Sequence, residues 1–224
     1  TAVCVELGGE VRCGLAASQV NPDYEHARKP SVEAAGRLEE RSALELAQLV
    51  HARSYTEVGV GLAAINALLP RIANSVELAA EDYIARHGSE SKVALIGHFP
   101  FVDKLREQVK QLWVLELNPK DGDLPAEAEP EIIPQADILA ITASTLVNHT
   151  FEQVFALRRK GAKVLLLGPS TPLSPVLFRH GVNVLSGTEV LDPAQVLPLV
   201  RQGASFRQIR KNGVRLVTIE APRA

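Results

Sequence analysis

The side chains that could move protons or hold a ligand collect behind four short apolar runs of this 224-residue chain. Gly97-His98-Phe99-Pro100 follows the run 93–96, and Glu116 closes the run 113–117 ahead of Asn118-Pro119. Thr142, Ser144, Thr145 and Asn148 lie at or behind the run 138–142. Gly168, Pro169, Ser170 and Thr171 follow the run 164–167, in a loop that Pro172 and Pro175 stiffen further. An imidazole can act as acid, base or ligand near neutral pH. A carboxylate can share proton transfer with it, and amides and hydroxyls can orient what binds. His98 and Glu116 are therefore the candidate catalytic pair. Phe99, Pro100, Thr142, Asn148, Gly168, Pro169, Ser170 and Thr171 are the candidate ligand-binding set. No cofactor and no metal ligand is assigned.

These groups meet only if the apolar runs are parallel strands ending on one rim. The runs 93–96, 113–117, 138–142 and 164–167 alternate with helix-like stretches at 101–112, 148–160 and 173–180. A possible strand at 182–185, a helix at 193–202 and a strand at 214–219 complete the series. Strand–helix alternation predicts βαβ units and a doubly wound, mainly parallel sheet, whose ligands bind at the carboxyl ends of the strands. Glu116 lies about 20 residues after Gly97, where dinucleotide folds place a ribose-binding carboxylate. The first turn is nevertheless Gly97-His98-Phe99-Pro100-Phe101, not a glycine-rich fingerprint. Phe99 and Phe101 argue against ordinary NAD binding, while Phe99 could stack on a flat ring.

The first part of the chain reads differently. Residues 3–7 and 10–14 flank Gly8-Gly9 as a β-hairpin with a two-residue turn, setting Leu7 opposite Glu10, Glu6 opposite Val11 and Cys4 opposite Cys13. The stretch 18–37 is polar and irregular, with Asn21-Pro22 and Lys29-Pro30 as breakers. Ser42 with Glu45 forms a capping box that opens a helix over 42–53. Further helices are expected at 56–69 and 75–87. The second of these three is rich in Gly and Ala, which favours close backbone approach. We divide the chain into an α+β domain, 1–88, and a Rossmann-like α/β domain, 89–224.

Composition narrows the possible roles. A formal charge of −2 offers no basic field for nucleic acid or anionic lipid. No apolar stretch is long enough for a membrane span. Two cysteines make no disulfide framework, so a cytoplasmic location is the default expectation. Cys4 and Cys13 could pair across the hairpin or offer two thiolates to a soft metal, or serve as small core residues. Two thiolates do not complete a zinc site, and no CxxC, HExxH, P-loop or G-x-S-x-G motif occurs. His149 has a surface reading as good as a functional one. His26, His51, His87 and His180 read as solvent or helix-end residues, and Asp137 as a cap or turn at the opposite edge of the sheet.

Taken together, several segments resemble one family. They are Gly61-Leu-Ala-Ala-Ile-Asn66, Ile96-Gly-His-Phe-Pro100-Phe, Glu116-Leu-Asn-Pro119, Ala136-Asp-Ile, Thr142 with Asn148-His-Thr150, and Gly168-Pro-Ser-Thr-Pro-Leu-Ser-Pro175. The chain resembles the domain-of-unknown-function family labelled putative heavy-metal chelation. That resemblance implies an enolase-N-terminal-like domain followed by a Rossmann-like one, with a cleft between them. It also implies a role in metal homeostasis, or action on a pterin-, flavin- or siderophore-like molecule, and it adds Asn66 to the ligand-binding set. A buried amide must bond backbone or face the cleft. Three functions follow as expectations. The first is binding or transformation of a small molecule, such as a metal chelator, by condensation or hydrolysis. The second is non-catalytic binding of a metal or metal chelate. The third is a methyltransferase-like reaction with S-adenosylmethionine. The hairpin edge and the Ala-rich helices would permit a homodimer.

Overall fold

The computed structural model describes residues 1–21, 31–72 and 75–222. Its strands are β1 (Ala2–Leu7), β2 (Glu10–Leu15), β3 (Val76–Glu77), β4 (Lys92–Ile96), β5 (Gln111–Glu116), β6 (Leu124–Pro125), β7 (Ile138–Thr142), β8 (Lys163–Leu167), β9 (Val184–Val190) and β10 (Val214–Glu220). The helices are α1 (Ala43–Ala47), α2 (Tyr55–Leu68), α3 (Ala80–Gly88), α4 (Val102–Arg106), α5 (Glu129–Ile132), α6 (Ser144–Val147), α7 (Phe151–Ala156), α8 (Val176–Arg179), α9 (Pro193–Arg201) and α10 (Phe206–Ile209). No helix among the described residues is long and apolar enough to cross a membrane. The sequence reading of His26 and of the Pro22 and Lys29-Pro30 breakers lies outside the described residues.

Strands β3 to β10 form one sheet in the order β3-β10-β9-β8-β7-β4-β5-β6. The six strands from β9 to β6 run parallel, and β10 joins β9 and β3 antiparallel. The expected α/β class and mainly parallel sheet are thus present, with an antiparallel edge. Alternation along each strand explains the unbroken apolar runs. Val93, Leu95, Ala140, Leu165 and Leu167 enter the layer that holds Ile84 of α3 and Leu105 of α4. Ala94, Ile96, Leu139, Ile141, Leu166 and Leu185 enter the opposite layer, with Ile133 and with Val154 of α7. Both faces are covered, so the parallel strands read as continuous apolar runs, and the buried hydroxyls of Ser186 on β9 and Thr218 on β10 bond to each other at 2.8 Å.

The β1–β2 hairpin has the predicted register, including Cys4 opposite Cys13. It lies directly on α2. A Cβ on Gly14 would fall 2.1 Å from the Ala63 carbonyl oxygen and 2.4 Å from the Ala67 nitrogen. Only glycine at this position, facing alanines, lets backbone meet backbone. The hairpin's other contacts are with α9, α10 and β9, through Cys13, Leu15, Val190, Val196 and Ile209. Some predicted elements are shorter than the pattern suggested. The helix expected over 101–112 is only Val102–Arg106, because Gln111 and Leu112 already belong to β5. The helix expected over 75–87 becomes β3 and then α3.

Candidate functional site

The first crossover from β4 leads to β5, while β7 lies on the other side of β4. The strand order therefore reverses between β4 and β7, the switch point at which open α/β sheets leave a crevice. A cavity of about 430 Å³ sits there. The end of β4 supplies Gly97, His98 and Phe99, the end of β5 supplies Glu116, and β7 with α6 supplies Thr142, Ser144 and Asn148. Pro169 completes the rim, Gln19 closes it from the first part of the chain, and Glu129 from the first residue of α5.

His98 is held at two points. Its backbone N–H donates to Glu116 Oε2 at 2.8 Å, and its Nδ1 lies 2.8 Å from Asp123 Oδ2. The Asp123 side chain is fully buried, whereas the imidazole keeps 20% of its surface exposed. Asp123 Oδ2 also accepts the Lys120 N–H at 3.1 Å, and Oδ1 stands 3.6 Å from Arg106. A carboxylate fixed in this way orients the ring by accepting from Nδ1, which leaves Nε2 as the working nitrogen. The turn requires Gly97, whose φ is +96°. A Cβ there would approach Thr142 to 3.1 Å.

Glu116 holds two backbone amides. Oε2 takes the His98 N–H, and Oε1 takes the N–H of Leu117 at 2.8 Å. Glu116 lines the cavity, but both oxygens brace backbone. Glu129 lines the same cavity, and burial and neighbouring Glu127 hold its carboxyl above the ordinary carboxyl range. Asn148 accepts from the Thr150 hydroxyl at 2.7 Å through Oδ1, and no partner for its Nδ2 occurs among the described residues. Thr142 Oγ1 accepts from the Ser144 N–H at 3.3 Å. The Gln19 Oε1 atom is buried without a partner on the same cavity.

The remaining candidates go elsewhere. Pro100 and Gly168 border an adjoining cavity of about 730 Å³, which shares Phe99 and Pro169 with the first. Ser170 lines neither of these. Its buried Oγ accepts the Ala17 N–H at 2.7 Å. Asn66 bonds backbone, as one of its two expected alternatives required: Nδ2 donates to Leu15 O at 2.9 Å and to Ser170 O at 3.2 Å. Thr171 is buried beside Asn66 on a third cavity of only about 50 Å³. Asn66 Nδ2 and Ser170 Oγ thus join the hairpin segment to the loop after β8, while Asn66 Oδ1 and Thr171 Oγ1 are buried without a partner among the described residues. His149 is also structural. It adopts φ +59° and places Nε2 3.1 Å from Ala52 O. Asp137 caps Lys92 N and pairs with Arg159, as a turn residue should.

Sequence reasoning missed Asp123, Glu129 and Gln19. Pro130 between Glu129 and Glu131 was a usable signal, since proline and acidic residues mark a helix start. Asp123 had only the preceding Gly122 to announce a turn. Among the described residues no group of three His, Cys, Asp or Glu side chains could hold a metal ion.

Comparison with known proteins now adds the family. Two family models, both described as "Putative heavy-metal chelation", match residues 80–218 (DUF364) and 1–69 (DUF4213). A DUF364 protein of unknown function from Desulfitobacterium hafniense is similar in structure. It shows 31% identity and a TM-score of 0.74, over 94% of this chain and 86% of that one. A DUF364 protein of unknown function from Pyrococcus horikoshii shares the fold at TM-score 0.80 and 23% identity, over 98% and 88% of the two chains. An uncharacterized protein of Methanocaldococcus jannaschii is 27% identical over 97% of this chain and 85% of its own length. The chain belongs to the family that these two models describe.

Proposed function

We propose, with membership of that family as the premise, that the cavity at the switch point binds a small polar molecule and transforms it by proton transfer. The observation that carries this reading is the pairing of His98 with a fully buried Asp123 on the wall of the crevice. A carboxylate enclosed this way is costly unless its hydrogen bonds are made. The fold spends one to aim an imidazole. Glu129, kept protonated to higher pH than an ordinary carboxyl, supplies an acid on the same wall to complement His98 as base. Asn148, Thr142, Ser144 and Gln19 offer uncharged donors and acceptors to hold the ligand, and Phe99 gives a flat apolar face. Such a lining suits a heterocycle of the pterin or flavin type, or a siderophore-like chelator. Condensation or hydrolysis is the reaction class its acid and base can serve.

Chelation of a heavy metal by the protein's own side chains fits less well. The donors around the cavity are one imidazole, scattered carboxylates and amides, and no three metal-type ligands converge among the described residues. The family's description is better matched by a ligand that itself binds metal. The bulk of Phe99 beside Gly97 argues against a nucleotide cofactor laid across this turn, S-adenosylmethionine included.

The test is a thermal-shift and calorimetric screen of pterins, flavins and catecholate or hydroxamate chelators, each with and without iron, against the natural protein and His98→Ala. A ligand at about 100 times its Kd stabilises the fold by ~2.7 kcal/mol. Stabilisation by one class that His98→Ala weakens is the expected result. A ligand bound equally by both proteins and turned over equally by both would remove His98 from the mechanism. Uptake of free metal by the chain alone, with proton release, would favour the non-catalytic metal-binding reading.

A further inference from the structure

The larger cavity beside the candidate site is a chamber of its own, and its chemistry is not that of the first. Phe99, Phe101 and Phe206 supply apolar surface. Phe99 and Phe101 stack with ring centroids 5.1 Å apart and planes 18° from parallel. Three cations, Arg207, Arg210 and Lys211, border the same space against a single acid, Glu81. None of the three cations pairs with a carboxylate among the described residues, where the ion pairs all involve other side chains. The chain as a whole carries a formal charge of −2, so this local positive excess is not a reflection of composition.

The element that carries these groups is well fixed. Ser205 and Gln208 form a capping box at the start of α10, and Ile209 anchors it in the core beside Val196. Phe206 and Arg210, four residues apart, and Arg207 and Arg210, three apart, share one side of the helix. In the lining from the end of β8, Gly168 at φ +112° has no atom within 4 Å of where a Cβ would lie, so the strand end leaves open space. Phe99 and Pro169 belong to both cavities. The two chambers are therefore neighbours across one aromatic wall.

We infer that the second chamber binds the acidic group of a planar aromatic ligand, a carboxylate or a phosphate, through Arg207, Arg210 and Lys211, while the ring lies against the phenylalanines. Unpaired guanidinium groups favour these oxyanions over neutral groups, and the stacked rings favour a flat apolar body. Placing the rest of that ligand against His98 rests on the reading above. The affinity of the second chamber does not.

Two dyes of the same skeleton separate the terms: 1-anilinonaphthalene-8-sulfonate, and N-phenyl-1-naphthylamine, which lacks the sulfonate. The natural protein should bind one sulfonated dye per chain ~10- to 100-fold more tightly than the neutral one, the range that one or two charged hydrogen bonds support. Arg207→Ala with Arg210→Ala should erase that preference with an unchanged melting temperature, and Arg207→Ala alone should reduce it. His98→Ala should leave it intact, so failure of the proposed chemistry and failure of this site are told apart. Displacement of the dye by pterin-6-carboxylate or by flavin mononucleotide identifies the anion as carboxylate or phosphate. Equal affinity for the two dyes, a preference that survives the double change, no dye bound at millimolar concentration, or displacement by neither competitor would overturn the inference.

Discussion

Asp123→Ala breaks the proposed site at its most constrained point. The side chain is fully buried. Oδ2 accepts from His98 Nδ1 at 2.8 Å and from the Lys120 N–H at 3.1 Å, and Oδ1 stands 3.6 Å from Arg106. Removal strands a ring nitrogen and a backbone donor together. Hydrogen bonds to a charged group contribute about 1.5–3 kcal/mol each. The ring can turn toward water and the Lys120 amide lies near the surface, so the low end of the sum, ~3 kcal/mol, is expected. For a chain of this length that lowers Tm by ~6–12 °C. Asp123→Asn keeps one acceptor oxygen and should cost about half as much. Urea or thermal denaturation followed by circular dichroism measures both. A second readout concerns the site itself. With Asp123 accepting from Nδ1–H, the neutral ring carries its proton on Nδ1 and presents a bare Nε2. The ring 15N shifts of labelled protein report this tautomer, and Asp123→Asn should move the population toward Nε2–H. A natural protein with His98 protonated on Nε2 alone, or an Asp123→Ala variant melting within ~2 °C of it, would refute the idea that this carboxylate aims the ring.

Three further outcomes follow from the same geometry. Burial and Glu127 raise the Glu129 carboxyl above its ordinary value of 4.5. The folded state then binds its proton more tightly than the unfolded one, so this stabilisation is complete below 4.5 and is lost as pH rises through the raised value. Glu129→Gln, a mimic of the protonated form, should therefore raise Tm near neutral pH and change nothing below pH 4.5; a lowered Tm at neutral pH would contradict the assignment. Gly97→Ala forces a methyl to 3.1 Å from Thr142 at φ +96°. It should cost ~1–3 kcal/mol and weaken binding in the polar cavity, and an unaltered Tm would show that the turn is not constrained. Cys4 and Cys13 occupy a pair without mutual backbone hydrogen bonds, counting from the turn-closing Leu7–Glu10 pair. Such Cα atoms lie ~4.5 Å apart, within disulfide reach. Treatment of the folded protein with diamide should join the two thiols, with loss of two hydrogens to the diamide. Two reactive thiols remaining by mass spectrometry would exclude it.

Much of the architecture was legible because local and tertiary preferences agree. Gly8-Gly9 between alternating residues set the hairpin register, and Ser42 with Glu45 set the helix start that forms. Apolar runs buried on both faces marked the parallel strands. Helix lengths were less legible. The pattern from 101 onward does not reveal that the chain leaves the helix after Arg106 to reach β5. The site was readable where strand ends supply it, and His98, Phe99, Glu116, Thr142, Asn148 and Pro169 do line one cavity. It was unreadable where a long acidic loop supplies it. Nothing in residues 118–134 distinguishes the buried Asp123 from the exposed Asp121. Nor does residue type distinguish Glu116, whose two oxygens brace backbone, from Glu129, which faces the cavity with a raised pKa.

The seam between the hairpin and the loop after β8 links stability to the site. Asn66 spans Leu15 O and Ser170 O, and Ser170 takes the Ala17 N–H. Gln19, two residues beyond Ala17, is the part of the cavity wall that comes from the beginning of the chain. The segment that carries it is tied down by these bonds and by Thr56, whose hydroxyl donates to the Gln19 carbonyl at 3.0 Å. Asn66 and Ser170 thus affect the cavity without touching what it holds. They fix the chain from which Gln19 projects, and a ligand bonded to Gln19 would depend on them at one remove. This division also explains why three polar residues grouped by sequence with the ligand-binding set are absent from the cavity. Two backbone segments brought together under the sheet edge carry carbonyl and amide groups that must be satisfied when buried. An asparagine and a serine are the residues that can do so from the side.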